Sequence, residues 1–367
     1  LGGCDYLFQE ASSLSHWVKV EDELRLTPVG EAAKALAAFH RRLEDRGRPV
    51  APVAILLDRY HGVEPHSSPQ PWGRLAETPA TRSIGAFFEA AYPGHSRFPR
   101  PFPWKSQAEY GRMLRAGFDY RPFERRLVAA GRWGDGFDVY TSNAGSASFA
   151  ETKLILLLGP HDPDRLDTDA LAELVGDGRT LLAAAGSGVS GPLLPASRGL
   201  AEGERVCVLD AASQARQAVR PYRIHLLDVS AGWRVVTTTE RQEPLVLHRT
   251  WDKGAAWFFA ADAGLALDGQ LAEPLLELLD ELIPPLLPVS VEGPTVQWSV
   301  NRTARGYVVL LMNHEAQAWW GRVRLRGETA AVRECWTEFT PPVEHSTEGT
   351  TVALGVPPFA PRVLEFV

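Results

Sequence analysis

Glu10 is the side chain of this sequence best placed for acid–base chemistry. It follows a short apolar stretch, Cys4 to Phe8, which has the pattern of a strand, and a helical pattern comes after it. In an α/β barrel the active site forms at this end of the strands. Cleavage of a glycosidic bond uses two carboxyl groups, and this unit offers one, so we expect the second to lie outside the chain. A carboxylate serving a helix dipole or an ion pair is the alternative interpretation.

A second group of polar residues follows the apolar run from Val53 to Leu57. Asp58, Tyr60 and His61 come directly after it. A run that is apolar throughout is typical of a parallel strand covered on both faces. His66 is near in sequence, but spacing alone does not make four ligands converge, so no metal site is predicted. No cofactor is predicted either.

Trp72 and Trp104 lie in a long segment, residues 63–106, that is rich in Pro, Gly, Ser and aromatic residues. Long loops inside compact domains tend to be functional or to make contacts. An indole ring in such a segment can stack on a sugar, and ordinary core packing is the alternative.

The turn Gly186-Ser187-Gly188 follows a predicted strand and could expose a nucleophile. The pattern G-x-S-x-G is not met, because Ala185 and Val189 stand where glycines are needed. We therefore interpret the segment as a tight glycine turn, and the same glycines make a poor dinucleotide motif. The stretch from His161 to Asp164 is interpreted as a solvated loop.

Composition excludes several classes of partner. The 367 residues carry a formal net charge of −7 and contain no basic run interleaved with aromatics, so no nucleic-acid surface is predicted. No run of apolar residues is long enough for a membrane helix. The three cysteines, Cys4, Cys207 and Cys335, form no disulfide or metal pattern. They are compatible with the cytoplasm, which is slightly favoured as the location.

The elements that must position these residues fall into three regions. Residues 1–48 form one βα unit, in which Thr27 caps a helix, Pro28 begins it and Gly47 ends it. Residues 50–287 alternate strands with helices, which predicts an α/β domain with a doubly wound, mostly parallel sheet. Residues 288–367 contain short alternating strands and turns, which predict a small antiparallel β-sandwich. Because the chain starts almost inside a strand, we expect a longer parent protein.

Four stretches of the sequence carry a resemblance to a known family. They are Cys4 to Glu10, Leu26 to Glu31 with Arg46 to Pro49, Pro52 to Asp58, and Val356 to Phe366. In this order they resemble the C-terminal part of (β/α)₈ glycoside hydrolases of the β-galactosidase type. The resemblance implies a last barrel unit, a flavodoxin-like trimerisation domain and a closing β-sandwich. The middle region is also similar to class I glutamine amidotransferases, but their catalytic Cys and His-Glu pair are not recognisable here.

Three hypotheses about function follow. In the first, the chain is the accessory region of a glycoside-hydrolase-like protein that acts on carbohydrate. Its α/β domain forms a homo-oligomer or walls the sugar cleft through Asp58, Tyr60, His61, Trp72 and Trp104. In the second, it is a non-catalytic binding or oligomerisation module with a degenerate amidotransferase-like domain. In the third, it is a hydrolase that uses Ser187 or Ser190.

Overall fold

The computed structural model describes residues 16–43, 45–59, 87, 90–92, 131–203, 206–209, 215–218, 222–229, 232–239, 241–261 and 272–367. Five of the predicted site residues lie outside these ranges, namely Glu10, Tyr60, His61, Trp72 and Trp104. The predicted strand from Cys4 to Phe8 also lies outside them. These assignments stay predictions. Asp58 is the predicted sugar-cleft residue that the structure describes.

The first described elements are a hairpin and a helix. Strands β1 (Trp17–Val20) and β2 (Glu23–Leu26) pair antiparallel, and helix α1 (Pro28–Arg42) follows. The Thr27 hydroxyl accepts a hydrogen bond from the Gly30 N–H at 3.2 Å, which confirms the predicted cap. The hairpin replaces the polar loop expected from the sequence.

Gly47 does not end helix α1 as predicted. The helix ends at Arg42, and Leu43 leaves it with an extended backbone so that its side chain is buried. Gly47 instead adopts a φ of 68°, and a Cβ there would lie 2.3 Å from the Arg302 carbonyl oxygen. The glycine is needed because the linker passes directly against a C-terminal turn.

A nine-stranded sheet forms the centre of the described α/β region. The described part of this region has eleven strands, and all of them except β8 and β11 belong to the central sheet. The strands are β4 (Val53–Leu57), β5 (Phe137–Thr141), β6 (Leu154–Leu157), β7 (Thr180–Ala184), β8 (Ser197–Gly203), β9 (Val206–Leu209), β10 (Ala215–Ala218), β11 (Tyr222–Leu227), β12 (Arg234–Thr239), β13 (Pro244–Trp251) and β14 (Gly254–Phe259). The order is β10-β9-β12-β13-β14-β7-β6-β4-β5, while β8 and β11 pair separately. Helix α2 (Thr168–Gly176) connects β6 to β7, and α3 (Ala272–Leu282) follows β14.

The central sheet is mixed, and the prediction of a mostly parallel sheet was too simple. Strands β5, β4, β6, β7 and β14 are parallel, whereas β13, β12, β9 and β10 continue the sheet antiparallel. The reason lies in the connections. Parallel neighbours need a crossover such as α2, whereas β12, β13 and β14 follow one another through short turns that produce hairpins. A flavodoxin-like winding therefore stays a proposal.

The C-terminal region forms two antiparallel sheets. Its strands are β15 (Val289–Glu292), β16 (Gln297–Arg302), β17 (Tyr307–Met312), β18 (Trp319–Leu325), β19 (Val332–Glu334), β20 (Val343–Ser346), β21 (Gly349–Val356) and β22 (Pro361–Phe366). The linker after α1 contributes one more strand, β3 (Arg48–Pro49), which pairs with β16 at the edge of a C-terminal sheet. One sheet has the order β15-β18-β21-β20, and the other has the order β19-β22-β17-β16-β3.

Contacts between the regions are extensive. One cluster of buried apolar side chains extends from β4 and β6 into the C-terminal sheets. Asp135, just before β5, donates its N–H to the Trp298 carbonyl and accepts a hydrogen bond from the Gln297 amide at 3.0 Å. The predicted region boundaries at 48–50 and 287–288 stay predictions. None of the helices in the described ranges is long and apolar enough to cross a membrane.

Candidate functional site at the carboxyl edge of the parallel strands

The connections of β4 and β6 place a crevice at the carboxyl end of the parallel strands. The two strands are adjacent and parallel. The chain leaves β4 towards β5 on one side, and it leaves β6 through α2 towards β7 on the other side. Ligands of open α/β sheets bind where such connections diverge. The residues that follow β4, β6 and β7 therefore form the candidate site.

Asp58 lies in this crevice and is only 7% exposed. Its Oδ2 atom accepts a hydrogen bond from the Asp162 N–H at 2.9 Å, which joins the end of β4 to the loop after β6. A carboxylate that accepts a backbone N–H is stabilised in its charged form. The hydrogen bond of Asp58 therefore links the end of β4 to the loop that follows β6.

His161 lies beside Asp58 and is buried, contrary to the predicted solvated loop. It is 8% exposed, and its N–H donates to the Ser187 carbonyl at 2.9 Å. The Nδ1 atom lies 2.7 Å from the Gly159 carbonyl oxygen, so Nδ1 carries the proton in the neutral ring. The Nε2 atom is buried and has no hydrogen-bond partner among the described residues.

The imidazole of His161 is kept neutral by its surroundings. Burial lowers its pKa below the ordinary value, against smaller raising effects of the Gly159 carbonyl, the Asp58 carboxylate and the Leu56 carbonyl. A neutral ring with a protonated Nδ1 offers Nε2 as an acceptor. Because Nε2 is itself buried, this acceptor is closed to solvent, and His161 contributes to the packing beneath the strand ends.

The Ser187 hydroxyl does not form a nucleophile–base pair with His161 among the described contacts. Ser187 is buried, and its Oγ accepts a weak hydrogen bond from the Val189 N–H at 3.4 Å. Gly188 has a φ of 72°, as a tight glycine turn requires. A described Ser–His hydrogen bond joins Ser197 Oγ to His225 Nδ1 at 2.9 Å, but it is exposed on the separate β8–β11 sheet.

Replacement of His161 should change how stability depends on pH. An unfolded imidazole titrates near pH 6.5, whereas the folded pKa of His161 is lower. Between these values the unfolded chain binds a proton that the folded chain does not, so stability is lost as the pH falls below about 6.5. We expect His161→Gln to flatten this part of the profile. Urea unfolding of both proteins from about pH 5 to pH 8 measures the difference.

His345→Gln is the matched control, because it makes the same substitution at an exposed position. Its pH profile shows how much of any change comes from exchanging a histidine for a glutamine as such. An unchanged slope in His161→Gln would mean that this imidazole titrates alike in the folded and unfolded chains.

The structure brings together some of the predicted residues and adds others. Asp58 is at the predicted strand end, and its partner Asp162 was not predicted. His161 was not predicted as a site residue, although its position just after a fully apolar strand was a signal that could have identified it. Among the described residues no group of His, Cys, Asp and Glu side chains could hold a metal ion.

Comparison with known proteins gives a fold but no family. No family description and no curated protein matches the sequence. The α-L-fucosidase isoenzyme 2 from Paenibacillus thiaminolyticus is similar over 92% of this chain and 51% of that chain, with 13% identity and a TM-score of 0.54. The β-galactosidase from Bacillus circulans sp. alkalophilus matches over 93% of this chain and 45% of its own, with 12% identity and a TM-score of 0.48.

The GH42 β-galactosidase Gan42B from G. stearothermophilus, as a catalytic mutant, matches over 92% of this chain and 42% of that chain. The identity is 19% and the TM-score is 0.46. The chain thus spans about half or less of the length of these enzymes. The similarity in fold is taken from the fucosidase, because its TM-score is the highest of the three. The chain has a partial glycoside-hydrolase-like fold.

Proposed function

We propose that this chain is the C-terminal accessory region of a glycoside-hydrolase-like, carbohydrate-active protein and that it lacks a complete catalytic site. The observation that supports this proposal is the fold similarity to the fucosidase, which covers nearly all of this chain but 51% of that enzyme. In the proposal a (β/α)₈ barrel elsewhere in the parent supplies the acid and the nucleophile or base.

The described crevice is consistent with an accessory role. Asp58, the predicted cleft carboxylate that the structure describes, accepts a backbone N–H and is largely shielded from solvent. Such a carboxylate stabilises a loop and is poorly placed to donate a proton to a leaving group. The acid–base chemistry of the parent therefore belongs to other residues in this proposal.

The predicted sugar contacts remain part of the proposal. Tyr60 and His61 come two and three residues after Asp58 in the sequence. In the parent they would wall the sugar cleft, together with Trp72 and Trp104. Glu10 would stand at the carboxyl end of the last barrel strand.

The chain alone should hydrolyse no glycoside. We expect no turnover of 4-nitrophenyl β-galactoside, α-fucoside or β-glucoside by residues 1–367, because one strand-end carboxylate cannot act as both acid and nucleophile. A protein extended by the upstream coding region should turn over at least one of them. Release of 4-nitrophenol by both proteins at equal concentration measures this.

Two outcomes would contradict the proposal. Turnover by the chain alone that disappears in Glu10→Gln would show that the catalytic apparatus is complete here. An upstream coding region without further βα units would remove the barrel. Labelling of Ser187 by an active-serine probe would favour the serine-hydrolase hypothesis instead.

The second candidate function is an oligomerisation module without catalysis in the parent. It is favoured by β5, which pairs only with β4 in the described sheet and carries Val139, exposed at 49%. An edge strand with an exposed apolar side chain can pair with another chain. Absence of turnover from the extended protein, together with a homo-oligomer in sedimentation velocity, would support this function over the first.

A further inference from the structure

The outer face of the sheet β15-β18-β21-β20 carries an unusually exposed aromatic side chain. Trp320 on β18 is 71% exposed, more than any other large apolar side chain of the described residues. Its neighbour Trp319 points into the core, as the alternation of a strand requires. Exposing an indole costs free energy because apolar surface stays in water. A ligand that covers the ring would recover this free energy.

Trp320 lies against a glycine of the neighbouring strand. Trp320 and Gly355 are directly opposite in the pairing of β18 with β21. A Cβ at Gly355 would lie 2.9 Å from Cζ3 and 3.0 Å from Cη2 of the indole. The absence of a side chain therefore lets the six-membered ring rest on the strand backbone. The ring is positioned before any ligand binds, which reduces the entropy lost on binding.

A polar cleft continues from Trp320 along the same face. Arg322 and Arg324 alternate with core residues on β18, so they share the outer face with Trp320. They line a cleft of about 370 Å³ together with Glu344, His345, Ser346, Thr347, Glu348 and Thr351. Trp320 and Arg324 are four positions apart on β18, which corresponds to about 13 Å along the strand. This length is similar to that of a short oligosaccharide.

The charges in the cleft are held in place by ion pairs. Arg324 pairs with Glu348 at 2.7 Å and with Glu292 at 3.5 Å. Its Nε atom is buried and has no hydrogen-bond partner among the described residues. The two arginines and the two glutamates that line the cleft balance in charge, so the cleft does not attract a polyanion. It offers both donors and acceptors to a neutral ligand.

We propose that Trp320 and this cleft form a surface site for a neutral oligosaccharide. A pyranose ring has an apolar face of C–H groups, which suits the open face of the indole, and a rim of hydroxyls. The hydroxyls both donate and accept, which suits the carboxylates and guanidinium groups of the cleft. The outer face around Trp320 otherwise carries small residues such as Ala353, Thr351 and Ser290. A protein partner would need a wider apolar patch.

This site goes beyond the accessory function proposed above and does not depend on it. It lies on the C-terminal sandwich, whereas the crevice at Asp58 and His161 belongs to the mixed sheet. A sugar could bind at Trp320 whether or not the parent hydrolyses glycosides. Failure of one proposal therefore leaves the other standing.

The experiment uses the full chain labelled with 5-fluorotryptophan. Fluorine NMR resolves the individual tryptophans, and Trp320→Phe identifies the line of Trp320. The probes are β-1,4-linked galactotetraose, xylotetraose and cellotetraose. We expect the Trp320 line to shift with at least one of them. We expect Trp320→Ala to raise the dissociation constant from calorimetry about tenfold or more, as for a central aromatic contact.

Two further variants make the test specific. Trp17→Ala removes another exposed tryptophan, on β1, and should leave the affinity unchanged. Gly355→Ala retains the indole but displaces it, and should weaken binding as well. The proposal is overturned if no probe shifts the Trp320 line or if Trp320→Ala binds as tightly as the wild type. A line that shifts with protein concentration alone would make the face a contact between copies and would also overturn it.

Discussion

Glu334→Gln is expected to lower the free energy of unfolding by about 3 kcal/mol, because buried donors lose a charged acceptor. Glu334 ends β19 and is 1% exposed. Its Oε1 accepts from the N–H groups of Trp336 and Val363, each at 3.0 Å. Its Oε2 accepts from the N–H of Thr337 at 2.7 Å and from the Thr337 hydroxyl at 2.6 Å. Glutamine would turn an NH₂ group towards one of these two pairs of donors.

Urea unfolding followed by tryptophan fluorescence measures the effect. Glu338→Gln is the matched control, because Glu338 is four residues away, is exposed and makes a surface ion pair with Arg42. It should change the free energy of unfolding by less than about 0.5 kcal/mol. Equal effects of the two substitutions would contradict the argument, since they would mean that the four hydrogen bonds contribute no more than one surface pair.

Phe39→Ala is expected to lower the free energy of unfolding by about 3 kcal/mol or more. Phe39 lies on α1 and packs with Leu43 against Val308 and Val363 of the C-terminal sheet. Its ring centroid is 5.2 Å from that of Trp336. Removing the ring leaves a cavity between the helix and the sheet, and an apolar contact of α1 with the C-terminal sheet is lost.

Amide hydrogen exchange locates the effect of Phe39→Ala. The amides of α1 should exchange faster than those of β6 in the variant, because the helix detaches first. Phe359→Ala is the matched control, since Phe359 is 64% exposed and should contribute less than about 0.5 kcal/mol. Unchanged exchange of α1 in Phe39→Ala would show that other contacts hold the helix.

Local signals in the sequence were sufficient for several elements. Thr27-Pro28 predicted where α1 begins, and the apolar run at β4 predicted a buried parallel strand. These features depend on nearest neighbours along the chain, namely a cap and an uninterrupted apolar run. The alternation of apolar and polar residues predicted β16 for the same reason.

Other elements were missed because the sequence signal was weak or shared. The hairpin β1–β2 turns at Glu21-Asp22, without the glycine that usually marks such a turn, and Glu21 takes a φ of 56°. Strand β14 and the first half of β13 are as apolar as parallel strands, so composition did not reveal that they pair antiparallel. Strand direction follows from the connection, which an apolar run does not encode.

The sequence by itself determined the partly parallel α/β region, the antiparallel C-terminal strands and the position of Asp58 at a strand end. Each depends on periodicity or on a short-range signal. Tertiary structure alone decided that His161 is buried beside Asp58, that α1 packs on the last sheet, and that Trp320 rests on Gly355. These contacts join residues far apart in sequence, or depend on which way a loop folds. They are set by the free energy of packing the whole chain, which no local pattern contains.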